Sequence, residues 1–247
     1  MGSIAEKINP TICITTRNRP KAFTKVMESI IRHTDGFAII VVDDASDDPY
    51  TRGIYGHRFE ERQGIPAAKN KCLELAMDMG AEHIFLFDDD CYPIKDGWEQ
   101  EYINAGINHL CFTFLPSYKR KGKFKMHTLG NGCMMYVNRK CIETIGGFDW
   151  RFGMGKYEHV NFSRRIHNAG LTPYVFMDLI NSHELLHSMD KGKEIKRSFN
   201  DTEIKTLLRS GSAHFARTAN SSEYIDYRPV PANNRHQEAR RLSGELL

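Results

Sequence analysis

Three apolar runs that each give way to polar or acidic residues constrain the fold more than any other feature of this chain. Residues 11–15 (Thr-Ile-Cys-Ile-Thr), 38–42 (Ala-Ile-Ile-Val-Val) and 83–87 (His-Ile-Phe-Leu-Phe) are continuous rather than alternating, the pattern of strands covered on both faces. Helical spacing separates them. Pro20 stands where a first helical position is expected, and Phe23, Val26, Met27, Ile30 and Ile31 follow at helical intervals. A second helix is predicted to open at Pro66, to carry Cys72, Leu73, Leu75, Ala76 and Met79, and to stop at Gly80. Strand, helix, strand, helix, strand predicts an α/β fold, Rossmann-like, with a mostly parallel central sheet flanked by helices. Ligands of such sheets bind outside the carboxyl ends of the strands. Residues 15–19, Asp43-Asp44 and Asp88-Asp89-Asp90 all fall there.

The remainder is less regular. Strands are expected over 110–115, 133–137 and 173–177, with a basic polar stretch between 117 and 127, a short helix near 139–145 and a longer one over 157–169 closed by Gly170. With 247 residues, of which 40% are hydrophobic and 26% charged, the chain can fill one sizeable core. A single domain is expected over 1–225, with a first half over 9–100, a second over 101–225, and a terminal arm over 226–247 made positive by Arg235, Arg240 and Arg241. No apolar run approaches the roughly 18 residues of a membrane span, and residues 1–7 lack the apolar stretch of a signal peptide, so a cytoplasmic protein is expected. The six cysteines lack paired spacing and are expected to be free, buried thiols. A net charge of +3 is too mild to mark a nucleic-acid binder and suits a phosphorylated ligand.

Three successive aspartates at the end of an apolar strand repel one another unless a cation neutralises them. In an extended chain Asp88 and Asp90 point the same way, so one can meet a metal and the other a ribose or bridging water. Oxygen ligands favour magnesium or manganese; the competing reading is an acidic turn. Asp44 could accept a base N–H or a ribose hydroxyl, or merely cap a loop. Lys69, at the start of the second helix, could donate to the same base or phosphate.

Together these motifs resemble the nucleotide-sugar-dependent glycosyltransferases of the GT-A fold, especially family 2. Thr15-Thr16-Arg17-Asn18-Arg19-Pro20 is similar to the family's T-x-N-R-P, although the proline usual before the threonine is missing. Val41-Val42-Asp43-Asp44-Ala45-Ser46 matches V-V-D-D-x-S, and Gly64-Ile65-Pro66-Ala67-Ala68-Lys69-Asn70 matches G-x-x-x-A-R-N with lysine for arginine. The D-x-D motif falls on Asp88-Asp89-Asp90. The resemblance implies donor-binding roles for Thr15, Arg17, Asp44, Lys69, Asp88 and Asp89, and a metal, Mn2+ or Mg2+, held at Asp90. Gly146-Gly147-Phe148-Asp149 followed by Glu158-His159 is similar to the acceptor-side G-G-F-D…E-D, with histidine where inverting members carry the acidic general base. Glu158 and His159 are thus the catalytic candidates, unless the reaction retains configuration. His187-Ser188-Met189-Asp190-Lys191 resembles the H-S-x-D-K of the β-1,4-galactosyltransferase group, which implies His187 as a metal ligand, with His183 second. The implied activity is hexosyl or pentosyl transfer from a nucleoside diphosphate sugar, UDP-sugar favoured, to an acceptor hydroxyl such as that of a glycan.

Two rival readings follow other residues. His183-Glu184-Leu185-Leu186-His187 fits the H-E-x-x-H of zinc peptidases, which needs a helix through 182–189 and a third ligand, for which Glu194, Glu203 and Glu223 are loosely spaced. The basic run from Lys119 to Lys125 could track a phosphate backbone, as in a nucleic-acid-binding or DNA-modifying protein, or form a mobile lid over the donor.

Overall fold

The computed structural model describes residues 10–195 and 199–228. Strand β1 (Thr11–Thr16) leads to helix α1 (Pro20–His33), strand β2 (Ala38–Asp43), edge strand β3 (Gly56–Arg58), helix α2 (Ile65–Asp78) and strand β4 (His83–Asp88). β1, β2, β3 and β4 are mutually parallel. The expected α/β architecture is present, and the short edge strand β3, which no expectation covered, extends the parallel run by one strand.

Pleating accounts for the unbroken apolar runs. Along β1, Ile12 and Ile14 enter the core layer with α1, whereas Cys13 enters the layer with α2. Along β4, Phe85 and Phe87 face the first layer, and Ile84 and Leu86 the second. Each such side chain contributes about 1.5–3 kcal/mol relative to exposure. α1 begins at Pro20, whose missing N–H is no loss in a first turn, and buries Phe23, Val26 and Ile30. Gly56 has φ +155° because a Cβ there would lie 1.8 Å from the Val41 carbonyl oxygen, an approach only glycine permits.

Strand β5 (Cys91–Pro93) and helix α3 (Trp98–Ile103) follow, then strands β6 (His109–Cys111), β7 (Ser117–Lys121), β8 (Phe124–His127) and β9 (Met134–Asn138). β9 runs antiparallel between β4 and β6, completing a six-stranded sheet of order β3-β2-β1-β4-β9-β6. Helix α4 (Arg139–Ile145) and a turn of 3-10 helix (Trp150–Phe152) precede helix α5 (Glu158–Asn168), strand β10 (Met177–Leu179), helix α6 (Ser182–Leu185), strand β11 (Leu186–Ser188) and helix α7 (Asp201–Thr218). Two expected strands shift: 110–115 shortens to β6, and 173–177 becomes β10, which pairs with β8. The basic stretch is a hairpin, β7–β8, turning at Gly122.

All six cysteines are buried and free. Among the described residues no helix is long and apolar enough to cross a membrane. Tyr227, assigned by sequence to the arm, packs in the second core layer, and Ile225 bridges to Gly146. Arg235, Arg240 and Arg241 lie outside the described residues.

Candidate active site

The carboxyl ends of β1, β2 and β4 open into a cavity of about 420 Å³ lined by Thr15, Arg17, Asp44, Asp88, Asp89, Asp90, Glu158 and His159, among others. Eight of the eleven residues singled out from sequence therefore meet in one place. Lys69, His183 and His187 do not line it.

Asp44 is 7% exposed and accepts hydrogen bonds from the backbone N–H groups of Gln63, at 2.6 Å, and Gly64, at 3.0 Å. It fixes the loop that opens α2 while facing the cavity. Asp43 is turned inward, accepting from the Ser46 N–H at 2.8 Å and hydroxyl at 2.6 Å.

The three aspartates do not continue as an extended strand. The chain turns at 89–90, and each carboxylate takes a different environment. Asp88 Oδ1 meets Lys69 Nζ at 3.0 Å. Asp89 accepts from the Thr16 hydroxyl at 2.7 Å and from Arg19 Nη1 at 3.0 Å, tying β4 to the exit of β1. Asp90 Oδ2 lies 3.4 Å from Arg19 Nη1, but its Oδ1 is buried without a hydrogen-bond partner. Burial first, then Asp88 and Asp89, push the Asp90 carboxyl up to about 7. Burial likewise raises Asp89, against Arg19 and Thr16.

This site is short of positive charge, and its orphaned carboxylate oxygen fits a divalent cation. Among the described residues no three His, Cys, Asp or Glu side chains form a metal site on their own. A magnesium-type ion is commonly bound by one or two carboxylates and completed by substrate phosphates and water.

Lys69 is fully buried, and its ammonium donates to the Gly132 carbonyl at 2.9 Å besides pairing with Asp88. Burial alone would lower it; Asp88 and then Glu158 outweigh burial and raise it. It reaches the cavity through Asp88 rather than directly.

Glu158 opens α5 behind two residues in left-handed backbone, Lys156 at φ 74° and Tyr157 at φ 68°. α7 braces this turn: Gly211 packs on the Lys156 carbonyl, and Phe215 stacks on Tyr157 with centroids 5.7 Å apart. Burial would raise the Glu158 carboxyl, but His159 and then Lys69 hold it down at about 2.

His187 is the expectation that the structure does not meet. β11 pairs with β5 so that His187 sits opposite Tyr92, its ring 5.1 Å from that ring and its Nε2 2.6 Å from Glu194 Oε1. Its neighbour Ser188 and, past the strand, Asp190 line the cavity instead, as strand alternation requires. The zinc-peptidase reading fails on the same segment. α6 ends at Leu185 and the chain becomes β11, so His183 and His187 do not share a helical face.

Sequence reasoning missed Arg62, Phe114, Asn131, Phe199, Ile204 and Leu208, all on the cavity wall. The last two come from α7, which has a readable start: Asn200 accepts from the Glu203 N–H at 3.0 Å while Glu203 accepts from the Asn200 N–H at 2.8 Å, a capping box.

Residues 11–128 match Glycosyl transferase family 2. An uncharacterized glycosyltransferase of Acanthamoeba polyphaga mimivirus is 30% identical over 142 residues, which cover 51% of this chain and 54% of that protein. The chain thus spans about half the length of this relative. Among solved structures, Staphylococcus aureus TarS in complex with UDP-GlcNAc aligns with a TM-score of 0.59 at 14% identity, over 87% of this chain and 68% of that one. The mannosyltransferase PcManGT of Pyrobaculum calidifontis, in complex with GDP-Man and Mn2+, aligns with a TM-score of 0.53 at 14% identity, over 95% and 80%. The fold is that of the GT-A glycosyltransferases, and its first half carries the family 2 signature.

Proposed function

We propose that this chain transfers a sugar from a nucleoside diphosphate sugar to an acceptor hydroxyl, with a divalent metal, manganese or magnesium, at the donor diphosphate. The observation that carries the proposal is Asp90: a buried carboxylate oxygen with no partner, crowded by two more aspartates in a cavity at the strand ends. The family 2 match and the donors bound by TarS and PcManGT support it.

Asp44 and Thr15 would orient the nucleoside, with Arg17 near the phosphates. Asp88, held by Lys69, would face the ribose, and Asp90, with Asp190 nearby, would hold the metal. When bound, the metal offsets negative charge growing on the leaving diphosphate. Arg19 keeps Asp89 in place and partly neutralises Asp90 in the free protein. Glu158 and His159 occupy the acceptor end.

Calorimetric titration with UDP, GDP, CDP and TDP, each with manganese and with chelator, tests the reading. One nucleotide is expected to bind only with manganese, and Asp90→Ala is expected to weaken it at least tenfold without lowering the melting temperature. Equal binding with chelator, or full affinity in Asp90→Ala, would remove the metal from the proposal; no nucleotide binding would remove the donor.

A further inference from the structure

The overall charge of +3 hides where the positive charge sits. Residues 102–142 hold seven Lys and Arg and no Asp or Glu, and five of the seven fall between 119 and 125 on the β7–β8 hairpin, which the donor site leaves unused. Lys125 is spent inside the fold: its ammonium donates to the Ser182 hydroxyl at 2.9 Å and pairs with the buried Asp178 at 3.4 Å. Lys119, Arg120, Lys121 and Lys123 are exposed, and among the described residues none of the four has a carboxylate partner. Lys119 donates to the Tyr174 hydroxyl at 2.8 Å and Lys123 to the Asn104 carbonyl at 3.0 Å, neutral groups that leave both charges uncompensated.

Such crowding works against folding. β7 is the outer strand of the sheet β10-β8-β7, and Arg120 stands directly opposite Lys125, a like-charge cross-strand pair. An edge strand needs only a lysine or two to discourage pairing with another chain. Four unpaired cations within five positions exceed that need and fit an anionic partner. The register spreads them over two faces: Lys119 and Lys121 lie opposite Met126 and Phe124, and Arg120 opposite Lys125. By strand alternation, positive charge projects from both faces of the ribbon, with Lys123 beside the turn at Gly122. A flat anionic surface would meet one face only. The major groove of duplex DNA admits a two-stranded β-ribbon and has phosphates along both of its sides.

The hairpin is also rooted at the cavity. Phe114, just before β7, and Asn131, just after β8, both line it. Asn131 Oδ1 accepts from the Thr113 hydroxyl at 2.7 Å and from the Phe114 N–H at 3.3 Å, which joins the two feet of the hairpin at the rim. We infer that the β7–β8 hairpin docks duplex DNA through its phosphates and so presents a hydroxyl carried by that duplex to the cavity, past Phe114 and Asn131. That the duplex is the acceptor rests on the glycosyl-transfer reading above; its docking does not.

Fluorescence anisotropy of the full chain with a short labelled DNA duplex of mixed sequence, without donor, tests the docking. With four phosphates neutralised, affinity is expected to fall about 100-fold between roughly 50 and 200 mM salt. The combined variant Lys119→Gln, Arg120→Gln, Lys121→Gln and Lys123→Gln is expected to bind at least about 30-fold more weakly at the lower salt and to lose most of the salt dependence. Its melting temperature should not fall, and its manganese-dependent nucleotide affinity should stay within about twofold of the parent, since these side chains lie outside the donor site. No duplex binding at about 50 mM salt, or equal salt dependence in parent and variant, would overturn the inference. So would binding at matched salt that is tighter to the single strand, to hyaluronate or to phosphatidylserine vesicles than to the duplex. Duplex binding by a parent chain that binds no nucleotide would instead remove the glycosyl-transfer reading and leave the docking surface standing.

Discussion

The two halves of this molecule reach one cavity by different means. In the first, four parallel strands end side by side, and backbone periodicity alone delivers Thr15, Asp44 and Asp88 to the same edge. In the second, Glu158 and His159 arrive at the end of a left-handed turn braced by a helix more than 40 residues downstream, and β9 enters the sheet against the direction of its neighbours. A parallel α/β layer places site residues by rule, because every strand end is equivalent. The second half places them by particular contacts, and those contacts are where substitution does most damage.

Lys69 joins the two halves. It belongs to the first by its place on α2, and holds Asp88 there, but its ammonium also bonds Gly132 and lies near Glu158 in the second. Lys69→Met keeps much of the side-chain volume and removes the charge, leaving two carboxylates short of their shared cation. A loss of about 3 kcal/mol is expected, the low end for breaking a buried pair because Asp88 is partly exposed. Urea unfolding measures this, and nucleotide affinity should fall with it. A loss below about 1 kcal/mol would show that the halves are joined by packing and that water relieves Asp88.

A second comparison lies within the second half, between carboxylates pushed in opposite directions. Burial raises Asp178 to about 6 despite Lys125 and Ser182, so its ionised form opposes folding at neutral pH. Asp149, in the Gly-Gly-Phe-Asp segment, is the reverse: burial would raise it, but His214 at 2.7 Å and Arg151 at 2.7 Å hold it at about 2 against an ordinary 3.8. A carboxyl depressed on folding stabilises above its unfolded value, and this stability is lost as pH falls through the folded value. Asp149→Asn is expected to cost about 2 kcal/mol near pH 7. The gap between variant and parent should narrow below about pH 4 and close near pH 2. A gap independent of pH would mean that the amide side chain fails through packing rather than through lost charge.

The first half was legible because its signals are local. Continuous apolar strands, Pro20 at a helix start and acidic strand ends determine fold and edge together, and all three are read within a few residues of one another. What the sequence did not show depends on long-range contact. Nothing near Lys69 announces that its partners are Asp88 and Gly132. Arg62, Phe114 and Asn131 reach the cavity wall through loop paths with no period, whereas α7 was overlooked despite the Asn200–Glu203 capping box. The H-E-L-L-H segment misled in the opposite way: its spacing suits a helix, but the chain leaves α6 at Leu185 to pair with β5.

That departure makes His187 the weakest expected effect and a direct check on strand alternation. The residue before Ser188 on β11 must face away from the surface that Ser188 lines, and His187 does: it packs on Tyr92 and pairs with Glu194, both members of the pair about a third exposed. Its removal costs one surface ion pair and a ring contact. His187→Ala is expected to lower stability by less than about 1 kcal/mol and to leave manganese-dependent nucleotide affinity within twofold. The adjacent Asp190→Ala, on the cavity side, should weaken that affinity at least fivefold by calorimetry. If the order were reversed, with His187→Ala the more damaging, β11 would have to turn over when donor and metal bind. The side-chain placement argued for the second half would then describe only the free protein.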